Sequence, residues 1–460
     1  MGKLLKDKFY SLIELSQLFK ERKLKPSEVT DFYLSRITKV DKEIQAFEEV
    51  YRDSAILLAK KADLAFESGK SIGPFHGIPF VLKDIFDVQD KITTSGSKLF
   101  NKEVAKSTSS MAKHLLDAGG ILLGKSKTVQ FAFGGWGTNQ EMGTPRNPWD
   151  NKNHRICGGS SSGSAAALAS NLTVCATGTD TGGSVRLPAS FCGLTGLKVT
   201  KGLLSTKGIA PLSHTLDTPG PMARSLLDLV IMFETMKGTQ GKELEENMLQ
   251  ERGLFKSIEE GVEGLHIGSI GVRDRSICSN NVLKRYDEVL QVLENQGAKI
   301  TEFNPPFNYQ DLAQRIGNII AIEAYSYYGR FCEDRKCPMD EDVRKRILIA
   351  KNFSNEQYLK LLEQRKTDEK LFLDSMLGFD ALVTPTTLDE APLITDVDQE
   401  ISPGHFTRPF NYITMCALSI PIGLNRNNLP VGLQIAARSH CEDMAIRIGG
   451  EVERHQSSIF

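Results

Sequence analysis

Residues 158–170 read G-G-S-S-S-G-S-A-A-A-L-A-S, and residues 175–188 read C-A-T-G-T-D-T-G-G-S-V-R-L-P. Two glycine–serine clusters thus flank a run of small residues. Upstream, residues 77–84 read G-I-P-F-V-L-K-D, with a lone lysine closing an apolar run. The three pieces supply a hydroxyl nucleophile, a second hydroxyl and an amine, and they use no histidine. That is one way to build an acyl-transfer centre.

Each piece has a plainer reading. The first cluster resembles a flexible linker or a phosphate-cradling turn at a helix start. Ala165, Ala166, Ala167, Leu168 and Ala169 follow at once and favour a helix, which weakens the linker. The lysine of a P-loop and the spacing of a dinucleotide fingerprint are both missing. In the second cluster, Gly182 and Gly183 ahead of Ser184 let backbone N–H groups converge on one point. A simple tight turn would use the same residues.

A serine nucleophile needs a base. His76, His114, His214, His266, His405, His440 and His455 sit in unrelated segments, and His154 lies in a polar loop. Lys83 is a better candidate, because desolvation lowers a lysine pKa and frees a neutral amine. A simple pairing with its neighbour Asp84 explains it equally well.

Working outward, the first seventy residues read as helices. Residues 11–20 carry apolar positions at three- and four-residue steps, and Pro26, Ser27 and Glu28 start another helix. Residues 53–68 continue this layer. Phe80, Val81 and Leu82 form a short apolar run that fits a buried strand. Residues 111–118 then read as helix, 121–125 as strand, 265–272 as strand, 282–296 as helix and 299–303 as strand. Residues 379–385 and 418–424 are further strands. Such alternation predicts an α/β fold with a mixed, mostly parallel sheet covered by helices on both faces. One large domain is expected over 1–460: a helical layer (1–70), a catalytic core (71–305), a helical insertion or flap (306–375) and a return to the core (376–460). No repeat or low-complexity linker divides the chain.

The composition is that of an ordinary globular protein: 460 residues, 40% hydrophobic, 25% charged, net charge −1. This balance argues against a broad nucleic-acid footprint. The eight cysteines are scattered without a CxxC pair, so reduced thiols in a cytoplasmic protein are expected, with no metal site and no disulfide framework. No window suits a membrane span and the N-terminus has no secretory h-region. Met1 and Gly2 open like an acylation site, but Lys6 stands where that motif needs Ser or Thr.

Residues 158–198, ending in T-D-T-G-G-S-V-R-L-P-A-S-F-C-G-L-T-G-L-K, resemble the amidase signature. So do residues 76–88 (H-G-I-P-F-V-L-K-D-I-F-D-V), 144–150 (T-P-R-N-P-W-D) and 406–421 (F-T-R-P-F-N-Y-I-T-M-C-A-L-S-I-P). The resemblance spans most of the chain and implies a Ser–cisSer–Lys triad. Ser184 maps to the nucleophile, Ser160 (after a cis peptide) to the bridge and Lys83 to the base. Thr181, Gly182 and Gly183 map to the oxyanion hole, while Asp180, Arg186 and Ser161 support the nucleophile loop. Ser162 departs from the family's usual glycine, and Cys157 stands where proline or alanine is common. Cys157 reads as a packing residue before a reactive thiol.

The resemblance implies hydrolysis of a small linear amide through an acyl-serine, without a cofactor. Substrate contacts are expected at Phe133, Gly134, Gly135 and Trp136, residues that would also suit a core. Arg408 is a carboxylate clamp or a helix cap. The glutaminase subunit of a tRNA-dependent amidotransferase, which works in a complex, looks similar through the core. The stretch 406–421 resembles stand-alone amidases more. An inactive binding protein is the third reading, opposed by the intact Lys83, Ser160 and Ser184. A homodimer is the default quaternary state.

Overall fold

A computed structural model describes residues 5, 8–239 and 241–456; Met1, Gly2 and Lys6, weighed above as an acylation site, lie outside them. Eleven strands form one sheet: β1 (Phe47–Val50), β2 (Pro79–Lys83), β3 (Ile121–Ser126), β4 (Cys175–Asp180), β5 (Thr195–Lys198), β6 (Thr218–Ala223), β7 (His266–Ile270), β8 (Lys299–Phe303), β9 (Ala381–Pro385), β10 (Cys416–Leu424) and β11 (Pro430–Ala437). Their order is β1-β3-β2-β4-β6-β5-β10-β11-β9-β7-β8.

The sheet is mixed, as expected, but parallel pairings do not predominate. Four pairings are parallel (β2 with β3 and β4, β7 with β8 and β9). Six are antiparallel and include the middle of the sheet. The reason lies in strands that carry weak local signals. β6 reads T-P-G-P-M-A, and proline is normally kept from a central strand. Here β5 pairs only with Met222 and Ala223, so Pro219 and Pro221 lie outside that ladder. β1 corrects the all-helical reading of the first seventy residues. It is a four-residue edge strand, F-E-E-V, antiparallel to β3; two acids leave no apolar run to detect, and charge suits an edge.

Elsewhere the expected elements are present. Helices Leu12–Lys20, Pro26–Ile44 and Arg52–Glu67 build the N-terminal layer. Ser11 caps the first, its Oγ accepting from Glu14 N at 3.1 Å. The segment read as a helical insertion holds helices Tyr309–Glu333, Glu341–Leu348 and Asn355–Ser375. Every residue of β2, β4 and β11 is buried, as strands covered on both faces require. The helix Ser162–Ala169 is buried throughout, which its small residues permit: a Cβ on Gly163 would stand 2.5 Å from Lys127 N. Among the described residues no helix is long and apolar enough to cross a membrane.

Candidate active site

Lys83 closes β2, and its neighbour β4 runs parallel to it. Thr177 and Thr179 are two apart on β4 and so share a face. Thr177 Oγ1 accepts from Lys83 N at 3.1 Å, and Thr179 Oγ1 accepts from Lys83 Nζ at 2.8 Å. Nζ also lies 2.8 Å from Ser160 Oγ. Lys83 is fully buried. Burial lowers its pKa from 10.5 to about 7, against the opposing charges of Asp217 and Asp180. The pairing with Asp84 weighed above is not the one formed. Asp84 faces Lys125 at 3.4 Å and accepts from Thr94 N.

Ser160 follows a cis peptide after Gly159. Its carbonyl accepts from Thr128 Oγ1 at 3.0 Å and from Val129 N at 3.3 Å. Ser161 then reaches across, its Oγ donating to Ser184 O at 2.6 Å. The helix Ser162–Ala169 starts immediately afterwards, so the first cluster is a turn leading into a helix.

Ser184 sits in the turn between β4 and the helix Arg186–Cys192. Pro188 falls in that helix's first turn, where its missing N–H costs nothing. Asp180 and Arg186 hold the turn together. The Asp180 carboxylate accepts from Gly183 N at 2.7 Å, Val185 N at 3.2 Å, Arg186 Nε at 3.0 Å, Arg186 Nη2 at 2.9 Å and Asn411 Nδ2 at 2.8 Å. Burial alone would raise the Asp180 pKa, but the Arg186 guanidinium and Asn411 hold it well below the usual carboxylate range. Arg186 also donates to Thr407 O at 3.0 Å and to Gln434 Oε1 at 2.5 Å, which ties the turn to β11.

The expected trio of oxyanion donors needs one correction. Gly183 N–H is already committed to Asp180, which leaves Thr181 and Gly182 of the three. Neither of these, nor Ser184, donates its backbone N–H to another group among the described residues. Gly183 has φ +126°, and a Cβ there would collide with Thr407 Oγ1, so glycine is required.

Ser184, Thr181 and Gly182 line a cleft that opens to solvent. Phe133, Gly134, Gly135, Trp136 and Arg408 line the same cleft, so all five expected contacts gather there. Trp136 is pinned by donating Nε1 to Ile401 O at 2.7 Å. Lys83 and Ser160 are fully shielded from solvent, whereas Ser184 keeps slight exposure. Among the described residues the Ser184 hydroxyl makes no hydrogen bond. Cys157 is buried, and burial pushes its thiol pKa far up, as a packing residue's would be.

Three residues at the site escaped the reading of the sequence. Thr179 was legible in principle, from the two-residue period of T-G-T on a strand. Asp217 is half-buried and accepts from Thr181 Oγ1 at 2.5 Å. Arg346 lines the cleft from the helix Glu341–Leu348. Its sequence, E-D-V-R-K-R-I-L, reads as a solvated helix and gives no local warning.

The sequence profile of the family described as Amidase matches residues 28–446. The chain belongs to the amidase family. Among curated relatives it is 32% identical over 457 residues to a glutamyl-tRNA(Gln) amidotransferase subunit of Thermobifida fusca, covering 93% of this chain and 91% of that one. It is 30% identical over 455 residues to the 2-amino-5-chloromuconic acid deaminase of Comamonas testosteroni, covering 96% and 95%. Among solved structures, the native peptide amidase of Stenotrophomonas maltophilia superposes with a TM-score of 0.84 at 25% identity, over 99% of both chains.

Proposed function

We propose that this member of the amidase family hydrolyses the C–N bond of a small linear amide through an acyl-serine intermediate. The observation that carries the reading is the fully buried Lys83, whose amine lies 2.8 Å from Ser160 Oγ and has a pKa of about 7. The neutral amine keeps one N–H on Thr179 Oγ1 and turns its lone pair to the Ser160 hydroxyl. Ser160 passes its proton to Lys83 and takes one from Ser184. Ser184 Oγ attacks the amide carbon, a C–O bond forms, and the carbonyl oxygen becomes an anion. The N–H groups of Thr181 and Gly182 hold that charge as it develops; one such donor is worth about 3–4 kcal/mol. Collapse breaks the C–N bond, and the relay returns the proton to the leaving nitrogen. Water attacks the ester by the same route and releases the carboxylate.

A second reading keeps this chemistry and changes the context. A relative named as an amidotransferase subunit shares 32% identity over nearly the whole chain, which favours a glutaminase that works within a complex. Release of ammonia from a panel of amides, glutamine included, by the purified chain decides between the two. Turnover of several small amides by the isolated chain is expected. Glutamine turnover that appears only with added partner subunits would establish the second reading. No release from any amide under either condition would end both.

A further inference from the structure

The Asp217 carboxylate joins the nucleophile turn to the loop between β5 and β6. Its Oδ1 accepts from Thr181 Oγ1 at 2.5 Å, and its Oδ2 accepts from Leu212 N at 2.8 Å and from Ser213 N at 3.0 Å. Three donors face it, an arrangement that suits an ionised carboxylate, which only accepts. Its backbone is fixed as well: Asp217 N donates to Ser213 O at 2.8 Å, and Asp217 O accepts from Lys201 Nζ at 2.8 Å. The loop is gripped in turn from the helix Tyr309–Glu333. Glu323 is buried and accepts from Ser213 Oγ, from Thr215 Oγ1 and from Thr215 N at 3.1 Å. Leu212 from this loop and Ile320 from this helix both line the cleft.

Thr181 needs such an anchor. Its N–H and that of Gly182 are the free donors of the turn, and two glycines follow, whose backbone is the least restrained of any residue. The flanking positions are pinned: Asp180 by Arg186, and Gly182 O by Thr407 Oγ1 at 2.9 Å. Among the described residues the Thr181 hydroxyl has one partner, Asp217. Donors stabilise a developing oxyanion only when they already point at it. A turn of the Asp180–Thr181 peptide would therefore cost rate without costing substrate binding. Holding the hydroxyl fixes the stiff threonine side chain at χ1 and opposes that turn.

We infer that Asp217 is a positioning residue for the oxyanion hole: through the Thr181 hydroxyl it keeps the Thr181 and Gly182 N–H groups directed at the tetrahedral anion. This rests on the hydrolytic reading of Ser184 given above. The same carboxylate also reaches the base. Burial lowers the Lys83 pKa, and the charges of Asp217 and Asp180 oppose it. Lys201 on the same loop, and Tyr327 and Tyr328 on the helix, are further titratable groups on which Asp217 acts.

Steady-state kinetics on the fastest amide of the panel, with a pH profile of kcat/KM, test the role. Thr181→Val should lower kcat about 10- to 100-fold, less than outright loss of an oxyanion donor, with KM within about twofold of wild type. Thr181→Ser keeps the hydroxyl and should restore kcat. Asp217→Asn should lose at least as much as Thr181→Val. It should also move the acid limb of kcat/KM to lower pH, because an anion is taken away from Lys83; Thr181→Val leaves that anion and should leave the limb in place. A residue that merely closed its own loop would show neither the split between kcat and KM nor the rescue by serine. If Asp217→Asn does not fold, the two Thr181 variants carry the test from the other end of the bond. Wild-type kcat in Thr181→Val, or a loss confined to KM, would overturn the role and leave the amidase reading intact. Fluorophosphonate capture at Ser184 that is slowed in Thr181→Val and not in Thr181→Ser, without turnover of any amide by the wild type, would support the tether and overturn the hydrolytic reading.

Discussion

Replacing Lys83 by methionine should separate activity from stability. The amine is fully buried and its pKa falls from 10.5 to about 7, chiefly through burial. At 1.36 kcal/mol for each pKa unit, charging it inside the fold costs at most on the order of 5 kcal/mol. Between about pH 7 and 10.5 the unfolded chain holds a proton that the native state has released. Stability therefore rises with pH across that window. The penalty is complete below about 7 and gone above 10.5. Methionine cannot titrate, so Lys83→Met should lack this rise. Urea unfolding of both proteins at about pH 6 to 9 measures the difference directly. The gap between them should change by roughly 2–3 kcal/mol over that range, most of it above pH 7. In parallel, wild-type kcat/KM should rise through an apparent pKa near 7, where the base becomes neutral, while the variant loses at least about 10⁴-fold. A stability difference that stays flat from about pH 7 to 9, together with an acid limb above about pH 9, would refute the argument.

Three further outcomes follow from the same geometry. Thr179→Val removes the second acceptor of the Lys83 amine, so the acid limb of kcat/KM should move to lower pH by somewhat under about one unit; an upward move contradicts the assignment. Asp180→Asn leaves Arg186 buried without a counter-charge and should cost about 3–5 kcal/mol in denaturant unfolding, whereas a loss below about 1 kcal/mol would mean the pair does not hold the turn. Gly183→Ala forces a side chain into a positive-φ position against Thr407 and should lose about 1–3 kcal/mol with a fall in kcat, checked by melting and steady-state kinetics.

The fold was legible where local pattern and environment agree. Phe80, Val81 and Leu82 announce β2 because a strand covered on both faces must be apolar throughout. The sheet's middle was hidden for the converse reason. β6 has proline at two of its six positions, which a local reading takes for a break and not for a central strand. At the site, the glycine–serine clusters were conspicuous because their backbone geometry permits few substitutes, as at Gly183. The commitment of Gly183 N–H to Asp180 could not be read, since nothing in T-D-T-G-G-S says which way a carboxylate turns. Arg346 was hidden more deeply. Its position in the cleft depends on where a helix far downstream of Ser184 settles, and charge on a polar helix normally means solvent.

The most direct measurement of the relay is covalent capture by a fluorophosphonate, mapped by peptide mass spectrometry in the wild type and in Lys83→Met. The account predicts one adduct, on Ser184, formed at a rate that climbs through about pH 7 and nearly vanishes in the variant. An adduct on another residue, or equal capture rates in the two proteins, would contradict it.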